Sequence, residues 1–255
     1  MTLYIGDKPV GLMKVVEKKV PKVKHGLSID NFIGETTIAQ GVTVLTDPTI
    51  PEILDGSGIV RLGSQSLCCR FFNKTKYIGP KIVKFGDVNY VFGSALYYAF
   101  AFDGTWIYEH ALESIDLHSV ETVEGLGMAY VCLGQKKLVG HIDLGNLKKI
   151  EDSGLLGAFE KTGITSINLD NLTTVGRQGL SKTFSNTKLT SLFFPALTSV
   201  DTRAFVGSLS SGDMLYQCTT ITEIHFRADM QATIEATTGY SRKWGATSST
   251  IYFDL

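Results

Sequence analysis

Through the middle of the chain, apolar residues recur in one fixed order: apolar, any, apolar, two others, apolar, two others, apolar. The first clear instance is Val83, Phe85, Val88 and Val91. It returns as Ile115, Leu117, Val120 and Val123, then as Ile142, Leu144, Leu147 and Ile150. Two more follow: Ile167, Leu169, Leu172 and Val175, then Leu192, Phe194, Leu197 and Val200. The starting positions 83, 115, 142, 167 and 192 lie 32, 27, 25 and 25 residues apart. Each unit then reaches a ring, at Phe100, Tyr130, Phe159, Phe184 and Phe205, usually after an alanine. A divergent sixth unit starts at Ile224 and Phe226, and an incomplete earlier one at Val60 and Leu62, where Gln65 breaks the pattern.

An apolar residue on each side of one free position is a short strand with one buried face, because side chains alternate across a strand. The next two apolar positions turn the chain back into the same core. The small-aromatic step, for example 152 to 162, reads as a helical or 3-10 segment that closes the coil. One such unit cannot bury its own face, but a stack of them can. The pattern therefore predicts an α/β repeat solenoid with a parallel sheet and short helical or 3-10 segments. In it, Ile115, Ile142, Ile167 and Leu192 are buried neighbours in one sheet. The residue between the paired positions points outward: Lys84, Asp116, Asp143, Asn168, Phe193 and His225. At about 4.8 Å per strand these form an outer ladder roughly 25 Å long. Phe193 is its one large apolar member, and the ladder is the expected binding surface, unless the loop 207–220 folds over Phe193.

The two ends differ from the middle. Residues 3–10 read as strand, turn, strand. Residues 14–24 carry five lysines and one glutamate, either as a solvated edge or as a basic arm for an acidic partner. Pro48, Pro51, Gly56 and Gly58 mark a loop. This divides the chain into a small β-rich attachment segment, 1–56, a repeat array, 57–220, and a C-terminal cap, 221–255. In the cap, Asp229 is expected to N-cap a helix running to Thr237, with Gly239 ending it. Trp244, Tyr252 and Phe253 are expected to cover the open core.

Composition narrows the function. The net charge is −1, which argues against a general nucleic-acid binder. No apolar run approaches the roughly 20 residues of a membrane span, and the first residues do not read as a signal peptide. Synthesis in the cytoplasm and release by lysis follow as the expectation. Cys68, Cys69, Cys132 and Cys218 include no CxxC pair and read as buried free thiols. No GxxxxGK[ST], HExxH, GxSxG or GxGxxG motif occurs. His25, His110, His118, His141 and His225 show no metal-site spacing, so no catalytic residue, cofactor or metal is expected. A metal or acid-base group of His118, His141, Asp116 and Asp143 is the alternative to plain polar residues on a sheet face. Tyr97, Tyr98, Phe100, Phe102, Trp106 and Tyr108 read as packing or, alternatively, as sugar-stacking rings. Trp106, near Gly104, is the one expected to be most exposed, and it joins the ladder as a candidate contact. Asn73-Lys-Thr75 and Asn171-Leu-Thr173 are sequons.

The stretches ITSINLDNLTTV (164–175), LTSLFFPALTSV (189–200) and GSALYYAF (93–100) resemble the BspA-like leucine-rich repeats of bacterial surface proteins. The ending, EIHFRAD (223–229), GYSRKWGA (239–246) and TIYFDL (250–255), resembles that of short versions encoded by phages and prophages of gut bacteria. The chain departs from the common leucine-rich type in its longer units and in lacking an asparagine ladder. The resemblance implies a non-catalytic recognition or adhesion module, carried on a virion through the N-terminal segment. Its implied ligand is a glycan or protein on a bacterial surface. A purely structural virion component and a bacterial surface adhesin are the alternatives.

Overall fold

The structure, a computed structural model, describes residues 4–5, 8–9, 53–69, 71, 79–102, 112–208 and 210–255. The lysine-rich 14–24 stretch, Pro48, Pro51, Trp106, Tyr108, His25, His110 and the Asn73 sequon lie outside them. The N-terminal strands β1 (Tyr4–Ile5) and β2 (Lys8–Pro9) pair antiparallel, as the strand-turn-strand pattern predicts. Everything else is mostly parallel β-sheet with few short helices, consistent with an α/β repeat-like fold.

Strands fall in two series. The first contains β3 (Ile53–Asp55), β5 (Ile82–Lys84), β7 (Ser114–Asp116), β9 (Val139–Asp143), β11 (Gly163–Asn168), β13 (Ser191–Phe194), β15 (Glu223–Phe226) and β16 (Thr250–Phe253). The second contains the two-residue strands β4 (Arg61–Leu62), β6 (Tyr90–Val91), β8 (Thr122–Val123), β10 (Lys149–Ile150), β12 (Thr174–Val175) and β14 (Ser199–Val200). It is this second series that forms one unbroken six-stranded parallel sheet. Leu62, Val91, Val123, Ile150, Val175 and Val200 stand in register along it. These are the last apolar positions of each unit, expected only to turn the chain.

The single sheet expected through Ile115, Ile142, Ile167 and Leu192 is instead three parallel sheets, β3-β5-β7, β9-β11 and β13-β15-β16. Within each the expected register holds: Val83 beside Ile115, Ile142 beside Ile167, Leu192 beside Ile224. The breaks flank two irregular strands. Gly140 in β9 has φ 82°, and β11 carries a register shift between Ile164 and Ser166. Such bulges bend and re-aim a strand. Ile167, just past the bulge, is only partly buried, whereas Leu192 is buried. The first described unit begins at Leu54, which pairs with Val83, not at Val60, which is half-exposed. Strand β3 thus precedes the expected boundary at 56 yet pairs with the array.

The 152–162 segment is not helical. Ser153, Gly157 and Lys161 all have positive φ, as do Leu126, Tyr130 and Gly134, and Gln178, Lys182 and Asn186. A left-handed residue at every fourth position prevents helix continuation. Alternate amides close i to i−3 turns, such as Leu156 N to Ser153 O and Ala158 N to Leu155 O. The intervening ones donate sideways, Leu155 N to Gly179 O, Gly157 N to Ser181 O and Phe159 N to Thr183 O. A 3-10 helix would keep all these bonds within one unit; here half of them tie each unit to the next. Among the described residues, helix is confined to α1 (Gln231–Glu235) and 3-10 turns at Ser210–Gly212, Ala228–Met230 and Tyr240–Gly245. No described helix is long and apolar enough to cross a membrane.

These lateral bonds reset two of the expected ring positions. Phe100 N donates to Val131 O and Cys132 N to Ala158 O, so Cys132 is the counterpart of Phe100 and Phe159. Tyr130 lies instead in the left-handed column with Tyr98 and Gly157. Its ring stacks on Tyr98 at 4.6 Å and covers Gly157, where a Cβ would overlap it. Leu180 N donates to Ala204 O, which makes Phe205 the counterpart of Leu180 rather than of Phe184. Cys132 and Cys218 are buried free thiols as expected, but Cys69 is exposed and Cys68 partly so. Burial pushes the Cys68 thiol up to about 11.

At the C-terminal end, Trp244 is fully buried against Phe205, Phe226 and Tyr240. Buried Asp213 accepts two bonds from Arg242, at 2.5 and 2.8 Å, and so ties the 207–220 loop to the cap. Asp229 does not N-cap a helix: it holds Arg227 through two hydrogen bonds, and the cap positions before the 3-10 turn and α1 make no side-chain bond. Gly239, with φ 88°, precedes the last 3-10 turn. Tyr252 does not cover the core; it is an exposed residue of β16.

Candidate functional site

The outer ladder divides into a polar part and an aromatic part. Lys84 stands beside Asp116, Asp143 beside Asn168, and Phe193 beside His225 and then Tyr252. The three groups follow the three sheets, so no single ladder of six residues exists.

In the polar part the acceptors are already engaged by their own chain. Asp116 Oδ1 accepts from the His118 amide, Asp143 Oδ1 from the Gly145 amide and Asn168 Oδ1 from the Asp170 amide. Asp55 does the same with Ser57. These are Asx turns, in which a short carbonyl side chain binds a backbone amide two residues on. They recur at the strand ends and account for these residues without a ligand. The hydroxyl of Ser57 holds the Asp55 carboxyl below its usual range, the larger influence on it. The hydrogen bond from Asp116 to His118 Nδ1, at 2.7 Å, raises the His118 imidazole. Asn146 Nδ2 donates to His118 O at 2.9 Å and Asn171 Nδ2 to Gly145 O at 2.5 Å, a two-rung asparagine link between neighbouring turns. Lys84 remains exposed.

The acid-base alternative does not assemble. His118 binds Asp116, whereas His141 Nδ1 lies 3.0 Å from Ser166 Oγ. Among the described residues, no three His, Cys, Asp or Glu side chains gather as a metal site.

The aromatic part is continuous. The Phe193 ring stacks on His225 with centroids 4.6 Å apart at 16°, and His225 on Tyr252 at 4.6 Å and 14°. Parallel register places them there: Phe193, His225 and Tyr252 are successive rungs of β13, β15 and β16. Stacking distance equals strand spacing, so rings on one outer face must meet face to face. Phe193 and Tyr252 are each 40% exposed, so the 207–220 loop does not bury the column. His225 between them retains 13% of its side-chain exposure. Its Nδ1 lies 2.8 Å from Asp254 Oδ1. Its Nε2 makes no hydrogen bond and sits 3.6 Å from Glu223 Oε2.

Tyr252 was assigned to the cap by the sequence pattern. The signal that places it in the column is the spacing of Ile251 and Phe253, which repeats Ile224 and Phe226. Of the other expected rings, Phe100 and Phe102 are core, while Tyr97 and Tyr98 form a half-buried cluster with Tyr130 on the turn side. No protein-family model, no curated protein and no solved structure matches the chain.

Proposed function

We propose that the chain is a leucine-rich-repeat-like solenoid of the BspA kind that serves as a non-catalytic recognition module. In this proposal the segment before the array attaches it to a virion, and the solenoid engages a glycan or protein on a bacterial surface. The observation that carries it is the exposed Phe193–His225–Tyr252 column, with Glu223 and Asp254 beside it. Ring edges with carboxylates at the margin suit a ligand that offers both apolar and hydrogen-bonding faces, and partly exposed aromatics commonly anchor interfaces. The polar rungs Asp116, Asp143 and Asn168 spend their acceptors on Asx turns, which concentrates the contact on the C-terminal third. Many copies on one particle would add avidity to a weak single contact.

The test is to incubate the labelled full chain with a panel of gut-bacterial cells, untreated, protease-treated or periodate-treated. Selective labelling lost after one treatment supports recognition and tells protein from glycan. Absence of labelling across the panel favours the second reading, a structural virion component. That reading is favoured by the open outer edge of β16, a strand other chains could pair with.

A further inference from the structure

Strand β16 ends the β13-β15-β16 sheet, and among the described residues its outer edge pairs with nothing. Thr250 N donates inward to Thr222 O. Strand alternation then turns the N–H and C=O groups of Ile251 and Phe253 outward. The core ladder is also left unfinished there. Leu192 and Ile224 are 1% and 0% exposed, and Phe194 and Phe226 both 0%, but their successors Ile251 and Phe253 are only partly buried. Native edges are normally blunted by lysine, proline or a bulge. The stretch Thr250–Phe253 has none of these.

We propose that β16 is a self-association edge, at which two copies of this chain pair antiparallel about a two-fold axis at Tyr252. The strand is complementary to itself in this register. Ile251 falls opposite Phe253 of the second copy, and these are the residues whose backbone groups point outward, so each pair exchanges two hydrogen bonds. Their side chains share the core face and complete its last rung. Tyr252 meets Tyr252 of the other copy on the outer face, bringing the two aromatic columns end to end. Charges match as well. Asp254 falls opposite Thr250 of the second copy, next to Ser249, whose carbonyl binds the Lys243 ammonium. Two-fold pairing satisfies both edges at once, whereas a parallel addition would leave a fresh open edge. The pairing does not depend on what the column binds; it doubles whatever surface the column provides.

Cysteine cross-linking of the full chain tests the register, in a Cys68→Ser/Cys69→Ser background. Non-hydrogen-bonded antiparallel neighbours have Cα atoms about 4.5 Å apart, within the span of a disulfide. Tyr252→Cys should therefore link to itself under mild copper-phenanthroline oxidation. Thr250→Cys should not link to itself but should link to Asp254→Cys when the two are mixed. Sedimentation of the wild-type chain should show a dimer that grows with concentration. Tyr252→Lys, which sets like charges opposite each other, should weaken it about tenfold or more. A wild-type chain that stays monomeric at the highest soluble concentration overturns the proposal. So does a dimer in which Tyr252→Cys fails to link or Thr250→Cys links to itself. These readouts need no ligand, so their failure is separate from failure of the recognition reading.

Discussion

The rings of Phe193 and His225 lie 4.6 Å apart and 16° from parallel, one strand spacing between residues 32 positions apart in the chain. A repeat can only produce this where register is kept from one unit to the next. It is kept in β13, β15 and β16, and Tyr252 extends the stack by a third ring. The column therefore reports both the regularity of the fold and the one place where its outer face turns aromatic.

The unbroken second-series sheet makes Ile150 a stricter test of the core than Ile167. Ile150 is fully buried in the centre of that sheet, and Ile167 is partly exposed beside a bulge. An uncompensated carboxylate in an apolar core costs several kcal/mol. Ile150→Asp should abolish cooperative thermal unfolding, while Ile167→Asp should lower the melting temperature and leave the transition cooperative. Equal effects would show that the two positions are equally buried.

Gly157 is demanded by Tyr130, not only by its backbone. Its φ is 61°, but non-glycine residues hold the same conformation at Ser153 and Lys161, so conformation alone does not require glycine. The Tyr130 ring does, because it occupies the Cβ position. Gly157→Ala should cost about 1–3 kcal/mol in chemical denaturation. Adding Tyr130→Ala should recover part of that loss, giving a non-additive pair.

Asp213 is buried at the junction of the 207–220 loop and the cap, and Arg242 is its only charged partner among the bonds described there. Arg242→Met would leave an unpaired buried carboxylate and should cost roughly 3 kcal/mol. The double variant Asp213→Leu/Arg242→Met should regain much of it. Denaturation midpoints of the four proteins decide the point.

His118 is raised by its hydrogen bond to Asp116. A histidine raised in the folded state contributes stability below its unfolded pKa, about 6.5, and loses it as pH rises through the folded value. The NMR midpoint of His118 should therefore sit above the ordinary histidine value. Asp116→Asn should bring it down. No change in the midpoint would mean that the pair does not form in solution.

Much of this was legible in the order of apolar residues, and the exceptions have physical causes. Register between Ile142 and Ile167, and between Leu192 and Ile224, follows directly from the recurring triplet. The bulge at Thr165 has no signature, since a polar residue there fits a regular strand equally well. The turn side misled because alanine followed by an aromatic favours a helix. The left-handed positions are filled by Ser153, Lys161, Gln178 and Lys182, residue types that do not announce positive φ. Cys132 was hidden behind Tyr130 because unit lengths of 32 and 27 leave the alignment of rings undetermined. Of the candidate contacts, Phe193 and His225 stand together, Asp116, Asp143 and Asn168 serve turns, and Tyr252 was visible in the spacing but assigned to the cap.

The most direct test of the recognition surface is binding by the double variant Phe193→Ala/Tyr252→Ala. Both side chains are substantially exposed, so the fold should tolerate the change and the melting temperature should move little. Against whichever bacterial cells the wild-type chain labels, the account predicts a loss of binding of about tenfold or more, with His225 left unstacked. Undiminished binding by a variant that melts like the wild type would contradict it and move the working surface away from the column.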